Sequence, residues 1–294
     1  MKFDGRRARP IPNQEVVDFI STKLDSKYLY SDTIVDKYLH TYYEWIKSSK
    51  LNNLIGIEDF NSLSFCHGTS QAFDFFYAEN KDRRMRCYQG DFIYHTVCWR
   101  NNYPGWKYLD DGDIEENDAV IISLPFSDYG FQHPDMKNVL DECDKLGVPV
   151  FIDSAYYSIC RGLDFNLDRE CIKSISFSLS KAFYGAERLR IGLRCKRDFN
   201  DDPLDVITSM GMVSKLSAGI GYQLCNNFEP DYNHNKFRDK QIEICDDLVI
   251  EPSDCVIFGL ADEIHPEFSE YDRGSRWKRV CISKLLGDMG ESYG

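Results

Sequence analysis

From Leu63 onward the chain alternates short apolar runs with amphipathic stretches. The runs Leu63–Cys66, Arg86–Tyr88, Ala119–Leu124, Val148–Ile152, Ser174–Ser178 and Ile191–Cys195 have the length and character of buried strands. Helical spacing falls between them over Ser70–Ala78 and Met136–Leu146. In the second of these, Met136, Val139, Leu140, Cys143 and Leu146 share one face, and Gly147 follows as a stop. Strands and helices in this order predict an α/β domain with a largely parallel sheet. Ahead of it, Glu15–Lys50 carries two helical stripes: Val16, Phe19 and Ile20, then Ile34, Tyr38, Tyr42 and Trp45, parted by the polar break at Asp25–Lys27. Past Asp201 the alternation fades. A helical stretch over Val206–Cys225, a polar loop over Asn226–Asn235, a helix over Lys236–Asp246 and strands near Cys255–Leu260 and Arg279–Ser283 predict a smaller α+β domain. The expected division is N-terminal helices at 1–50 serving the small domain or a subunit interface, a large domain at 51–203 and a small one at 204–294, with the boundary near Asn200–Asp205.

Composition narrows the function. With 294 residues, 43% of them hydrophobic, the chain can fill one large core or two modest ones. A formal charge of −13 argues against nucleic acid as a partner, and the densest basic run, Lys81–Arg86, reads as a solvated turn or helix end. No run approaches the roughly 20 apolar residues that cross a bilayer. The opening segment MKFDGRRARPIP has no apolar signal core, so no membrane contact and a cytoplasmic location are expected. The eleven cysteines are scattered from Cys66 to Cys281 without a CxxC pair, and the six histidines are dispersed. They read as reduced, buried thiols and no metal site.

Three segments carry candidate chemistry. The run Val150–Tyr156 delivers a carboxylate, Asp153, and a phenol, Tyr156, just past a buried strand, where open α/β sheets bind ligands. The next strand ends in alternating serines and Lys181. A lysine there is costly unless its charge is paired or removed, and an aldehyde cofactor removes the charge while using the amine's nucleophilicity. Upstream, His67–Ser70 opens a helix, whose first N–H groups favour an anion. Each of these, taken singly, is also what an ordinary loop or turn carries.

Together they resemble the fold type I enzymes of pyridoxal 5'-phosphate (PLP), in particular the aspartate-aminotransferase-like group. DSAY (Asp153–Tyr156) is similar to that family's D-x-A-Y. SLSKAFYGAERLRIG (Ser178–Gly192) is similar to its Schiff-base and phosphate segment, and Gly68–Ser70 resembles its phosphate-cup turn. The resemblance runs from about Tyr28 to Ile282. It implies that Lys181 carries PLP as a Schiff base and moves the substrate's α-proton once released. It further implies that Asp153 pairs with the pyridine nitrogen and that Tyr156 donates to the ring phenolate oxygen. Phosphate contacts fall to Gly68, Thr69, Ser70, Ser178 and either Arg190 or its rival Arg188, with Phe92 stacking on the ring. Arg279 resembles the late-strand arginine that grips an α-carboxylate, and Tyr28 the tyrosine that reaches a partner subunit's phosphate, so a homodimer with shared active sites is implied. The usual N-P-x-G is replaced by Leu124–Gly130, which lacks the asparagine. Ser127 is the better substitute and Asp128 the poorer, since a carboxylate opposes a phenolate. The expected activity is transamination of a small amino-acid-like substrate to its keto acid. The alternatives are another PLP outcome, such as elimination, decarboxylation, racemisation or condensation, and a silent PLP-fold binding protein. A nicotinamide dehydrogenase would want G-x-G-x-x-G, which the chain lacks.

Overall fold

The computed structural model describes residues 5–102, 105–198, 202–262 and 264–289. The first four residues of the opening segment, Gly290 to the C-terminus, and Asn200 and Asp201 of the expected domain boundary, lie outside them. Two helices come first, α1 (Gln14–Lys23) and α2 (Ile34–Lys47), then β1 (Asn53–Ile55), β2 (Ser62–His67), α3 (Thr69–Glu79), β3 (Arg84–Cys87), α4 (Tyr94–Asn102), β4 (Lys107–Tyr108) and β5 (Asp118–Ser123). There follow α5 (Met136–Leu146), β6 (Val150–Ser154), β7 (Asp164–Asn166), β8 (Ile172–Ser178), the single turn α6 (Ala186–Leu189) and β9 (Ile191–Lys196). The remainder is α7 (Pro203–Ser209), α8 (Lys215–Asn227), α9 (Tyr232–Leu248), β10 (Glu251–Pro252), β11 (Phe258–Ala261), β12 (Lys278–Cys281) and α10 (Ser283–Leu286).

The main sheet has seven strands in the order β2-β9-β8-β6-β5-β3-β4. Its pairings are parallel except those of β9, which runs against both its neighbours. A separate antiparallel sheet, β10-β11-β12, forms the smaller α+β part. This is the predicted class: a large, mostly parallel sheet with a reduced second unit. Strands β5 and β6 are buried along their whole length because helices cover both faces, and this is why they read as continuous apolar runs.

On one face α2 packs against α8, and Gly219 and Gly221 make the approach possible. A Cβ at position 219 would overlap the Tyr28 ring, and one at position 221 would lie 2.6 Å from the Tyr38 ring. The buried hydroxyl of Tyr38 donates to Gly192 O at 2.8 Å and the Trp45 indole to Phe228 O at 2.6 Å, so both large rings keep their polar atoms paired. On the other face Phe73, Phe76, Tyr77 and Trp99 of α3 and α4 close over Phe151.

Several elements differ from expectation. The stretch Val206–Cys225 is two helices, broken at Gly211 with φ +64°. Helix α9 begins at Tyr232, so the polar loop is shorter than its composition suggests. The short strands β1, β4 and β7 and the helix α4 were not predicted. The basic run Lys81–Arg86 is not a solvated turn throughout, because Arg84 and Arg86 lie on β3 and Arg86 is fully buried. Its guanidinium donates to the Asp118 carboxylate at 2.6 Å and to the carbonyls of Gly112, Asp113, Tyr108 and Lys107 at 2.6, 2.8, 3.0 and 3.1 Å. It ties β3 to the chain leading into β4 and β5. Arg86→Met is expected to lower unfolding free energy by about 3–5 kcal/mol, because a buried carboxylate and several carbonyls lose their donor. Urea unfolding of the variant beside the parent protein checks this, and a change below about 1 kcal/mol would show the site behaving as an exposed pair.

Candidate active site

A cavity of about 700 Å³ opens at the carboxyl ends of the parallel strands. The register places Ser123 beside Asp153 and Asp153 beside Ser176, so the ends of β5, β6 and β8 come level. Asp153 is buried, and its carboxyl accepts from the Ala155 N–H at 3.1 Å. Burial, reinforced by the neighbouring carboxylate of Asp91, pushes it up to about 8 against the pull of Ala155, the Thr69 hydroxyl and Lys181. Asp91 is itself held by the hydroxyl and N–H of Ser123 and raised by burial.

Lys181 follows β8 and lines the same cavity. Burial lowers its ammonium from the ordinary lysine range, and the guanidinium groups of Arg279 and Arg190 add to this. Its Nζ donates to Ala8 O at 2.8 Å. The buried side chain of Asn233 donates to Ala182 O at 2.6 Å and so fixes the backbone just after the lysine.

One wall is rich in donors. Gly68, with φ +70°, leads into α3, whose first N–H groups have no intrahelical acceptors. Arg190 lies across it, donating to Ser70 Oγ at 2.8 Å and His67 O at 3.1 Å. A Cβ at position 68 would lie 2.5 Å from the guanidinium, so a larger residue would push the arginine aside as well as strain the backbone. Arg190 reaches there from a left-handed backbone, φ +54°, where α6 ends. The hydroxyl of Ser178 donates to Ser180 Oγ at 2.8 Å, and both serines line the cavity. Helix N–H groups, three hydroxyls and one guanidinium converging on a single cup fit a phosphate.

The cavity is also lined by Tyr156, Arg279, Ser127, Phe92 and Arg273. Tyr156 meets Phe258 edge-on at 5.4 Å, and burial raises its hydroxyl while the two arginines restrain it. Arg279 is buried over the Phe258 ring at 4.6 Å and donates to Ser127 O at 2.5 Å and Arg6 O at 3.0 Å. Its Nε has no acceptor among the described residues. Phe92 is partly exposed at the rim. Asp128 is fully buried, faces Arg273 at 3.5 Å and does not line the cavity, whereas Ser127 does.

The structure thus gathers Thr69, Ser70, Phe92, Ser127, Asp153, Tyr156, Ser178, Lys181, Arg190 and Arg279 around one cavity, with Gly68 at its edge. Two candidates stand apart. Arg188 is exposed and pairs with Glu187 at 3.7 Å. Tyr28 is buried within its own chain against Gly219 and does not line the cavity. Sequence reading missed Asp91, Ser123, Ser180, Arg273 and the segment Arg6–Ala8. Asp91 adjoins Phe92 and Ser180 adjoins Lys181, so neighbourhood alone could have raised both. Arg273 and Arg6–Ala8 had no signal, because loops far apart in sequence bring them in.

No family model and no curated protein matches the sequence. Solved structures do match in fold. A PLP-bound putative aminotransferase from Clostridium difficile has a TM-score of 0.66 and 14% identity, over 96% of this chain and 88% of that one. A PLP-bound C-S lyase from Staphylococcus hominis has a TM-score of 0.67 and 14% identity, over 97% and 90%. An aromatic aminotransferase from Pyrococcus horikoshii has a TM-score of 0.66 and 12% identity, over 97% and 91%. The chain therefore has the two-part α/β fold of the type I PLP enzymes.

Proposed function

We propose that this chain is a PLP-dependent enzyme acting on a small amino-acid-like substrate, with transamination as its reaction. The observation that carries the proposal is the meeting of an uncompensated buried carboxyl, Asp153, with a depressed amine, Lys181, in a cavity whose far wall is a phosphate cup. When bound, PLP supplies an electron sink for the electron pair left on a substrate carbon as one of its bonds breaks.

The chain's own groups divide the remaining work. Gly68, Thr69, Ser70, Ser178 and Arg190 hold the phosphate, and Asp153 pairs with the ring nitrogen and keeps it protonated. Tyr156 donates to the ring oxygen, with Ser127 beside it, and Phe92 is placed at the rim to cover the ring face. Lys181 is the covalent anchor. Once free, its amine takes a proton from the substrate carbon and returns it, and its lowered basicity keeps a share of the amine neutral for that step. Arg279 offers a planar pair of donors to the substrate carboxylate. A homodimer, a cytoplasmic setting and the division at 1–50, 51–203 and 204–294 belong to the same proposal. Eleven unpaired thiols favour a reducing compartment. Among the described residues no helix is long and apolar enough to cross a membrane, and no cluster of side chains fits a metal ion.

Protein given PLP is expected to gain a visible absorbance band that Lys181→Ala abolishes. One amino acid from a panel should then bleach it with stoichiometric release of its keto acid. Release of ammonia or a thiol instead would identify elimination, and absence of any band in the parent protein would sink the proposal.

A pH effect also follows. The folded Asp153 carboxyl keeps its proton up to about pH 8, while an unfolded one releases it near 3.8. The stabilisation from this group is therefore complete below about pH 4 and is lost as pH rises towards 8, by about 1.4 kcal/mol per pH step of one across that window. Asp153→Asn should remove that slope from unfolding curves of the unloaded protein, and PLP should reduce it in the parent by favouring the carboxylate. Parallel slopes for parent and variant would contradict the assignment. The dimer is checked separately by light scattering, which should give twice the chain mass of 34.2 kDa. A monomer would confine the site to one chain.

A further inference from the structure

The chain between Gly5 and Ile11 lies over the cavity, and it is the backbone that engages the site. Gly5 O accepts from the Cys281 N–H at 2.8 Å, Arg6 O from the Arg279 guanidinium at 3.0 Å and Ala8 O from Lys181 Nζ at 2.8 Å. Arg6, Arg7 and Ala8 line the cavity wall, and the exposed Arg6 side chain pairs with Glu270 at 2.9 Å. From Pro10 onward the segment is firmly held. Pro10 and Ile11 are buried, Pro12 O accepts from Asp288 N–H at 3.1 Å, and the Asp288 carboxylate accepts from Gln14 N–H at 2.9 Å. The residues before Pro10 are thus a short strap, bent at Arg6 and Arg7. Two of its carbonyls, those of Arg6 and Ala8, rest on the two cations that the proposed reaction needs.

We infer that the Gly5–Ala8 strap is an internal occupant of the substrate subsite, displaced by a carboxylate-bearing ligand and by covalent engagement of Lys181. A neutral carbonyl is a weaker partner for a guanidinium than a carboxylate, which offers two parallel charged acceptors. The Arg6 contact therefore yields to a substrate carboxylate. The Ala8 contact uses an N–H of the free lysine nitrogen, and that nitrogen gives up N–H donors when it joins an aldehyde carbon. Each ligand removes one of the two contacts made inside the cavity, so cofactor and substrate loosen the strap in sequence against its remaining holds on Cys281 and Glu270, and the closed strap lowers apparent affinity by the fraction of time that it occupies the cavity. The ligand identities rest on the function proposed above, whereas the strap's hold on Lys181 does not.

Trypsin reads the strap directly, because Arg6 and Arg7 offer cleavable bonds inside it, while cleavage after the exposed Arg188 reports on the rest of the fold. In full-length protein without ligand, Lys181→Met should speed cleavage after Arg6 and Arg7 about tenfold, the size expected for one lost charge-assisted hydrogen bond. Cleavage after Arg188 should stay unchanged. In the parent protein, PLP should produce the same acceleration, measured beside the visible absorbance that reports its binding. If Lys181→Met accelerates cleavage but PLP neither binds nor accelerates it, the strap stands and the cofactor assignment falls. If the Lys181→Met rate stays within about twofold of the parent, or rises equally after Arg188, the strap is overturned. Where Lys181→Met does not fold, PLP binding without accelerated cleavage overturns it.

Discussion

Parallel pairing of β6 with β8 brings a carboxyl and an amine to the same end of a sheet that is buried on both faces, and neither group finds a full counter-charge there. Two ionisable groups in such a place are unfavourable for the fold, since each is pushed towards its neutral form. The surrounding architecture acts on this one constraint. Asp91, held by Ser123, raises Asp153 further, Asn233 clamps the backbone beside Lys181, and Arg190 and Arg279 add positive potential that opposes an ammonium. The same arrangement is what a protonated heterocycle and an aldehyde would relieve, one at each group.

Charge inside this molecule is handled in two contrasting ways. On β3 and β9 it is met by carboxylates. Arg86 is saturated by Asp118 and carbonyls, and Arg194 and Lys196 of β9 are matched to Asp202 and Asp205 at the start of α7 at 2.6–2.9 Å. Within the cavity compensation is left incomplete: Arg279 has carbonyl partners and an unpaired Nε, and Asp153 has no cation bonded to it. Among the described residues Arg194, Arg197 and Arg238 elsewhere also keep an Nε without an acceptor, so what sets the cleft apart is that an acid and an amine, each pushed towards its neutral form, face one open cavity.

Much of this was legible in the sequence, and the reasons for the rest are physical. Strands buried on both faces announce themselves as apolar runs, so β5, β6, β8 and β9 could be read along with the acid and the lysine at their ends. Strands of two or three residues, such as β4 and β1, hold too few side chains to show a period. The choice between Arg188 and Arg190 turns on a left-handed backbone at position 190, which residue types alone do not encode. Arg86 looked like surface charge because its partners are mostly carbonyls, and the strap escaped notice for the same reason, since its contacts use no side chain of Gly5 or Ala8. Tyr28 matched a motif by its neighbours, yet its ring is taken up by Gly219 in its own chain.

The contact of Arg190 with Gly68 has a consequence for descent. The guanidinium occupies the volume where any other residue at position 68 would place its first side-chain carbon, and it gets there through an unusual backbone angle far along the chain. A side chain gained at 68 has to push the arginine aside, whereas an arginine lost at 190, an exposed position, leaves room that water fills. The dependence runs one way, so a substitution at 68 is easier to accommodate after the arginine has gone than before.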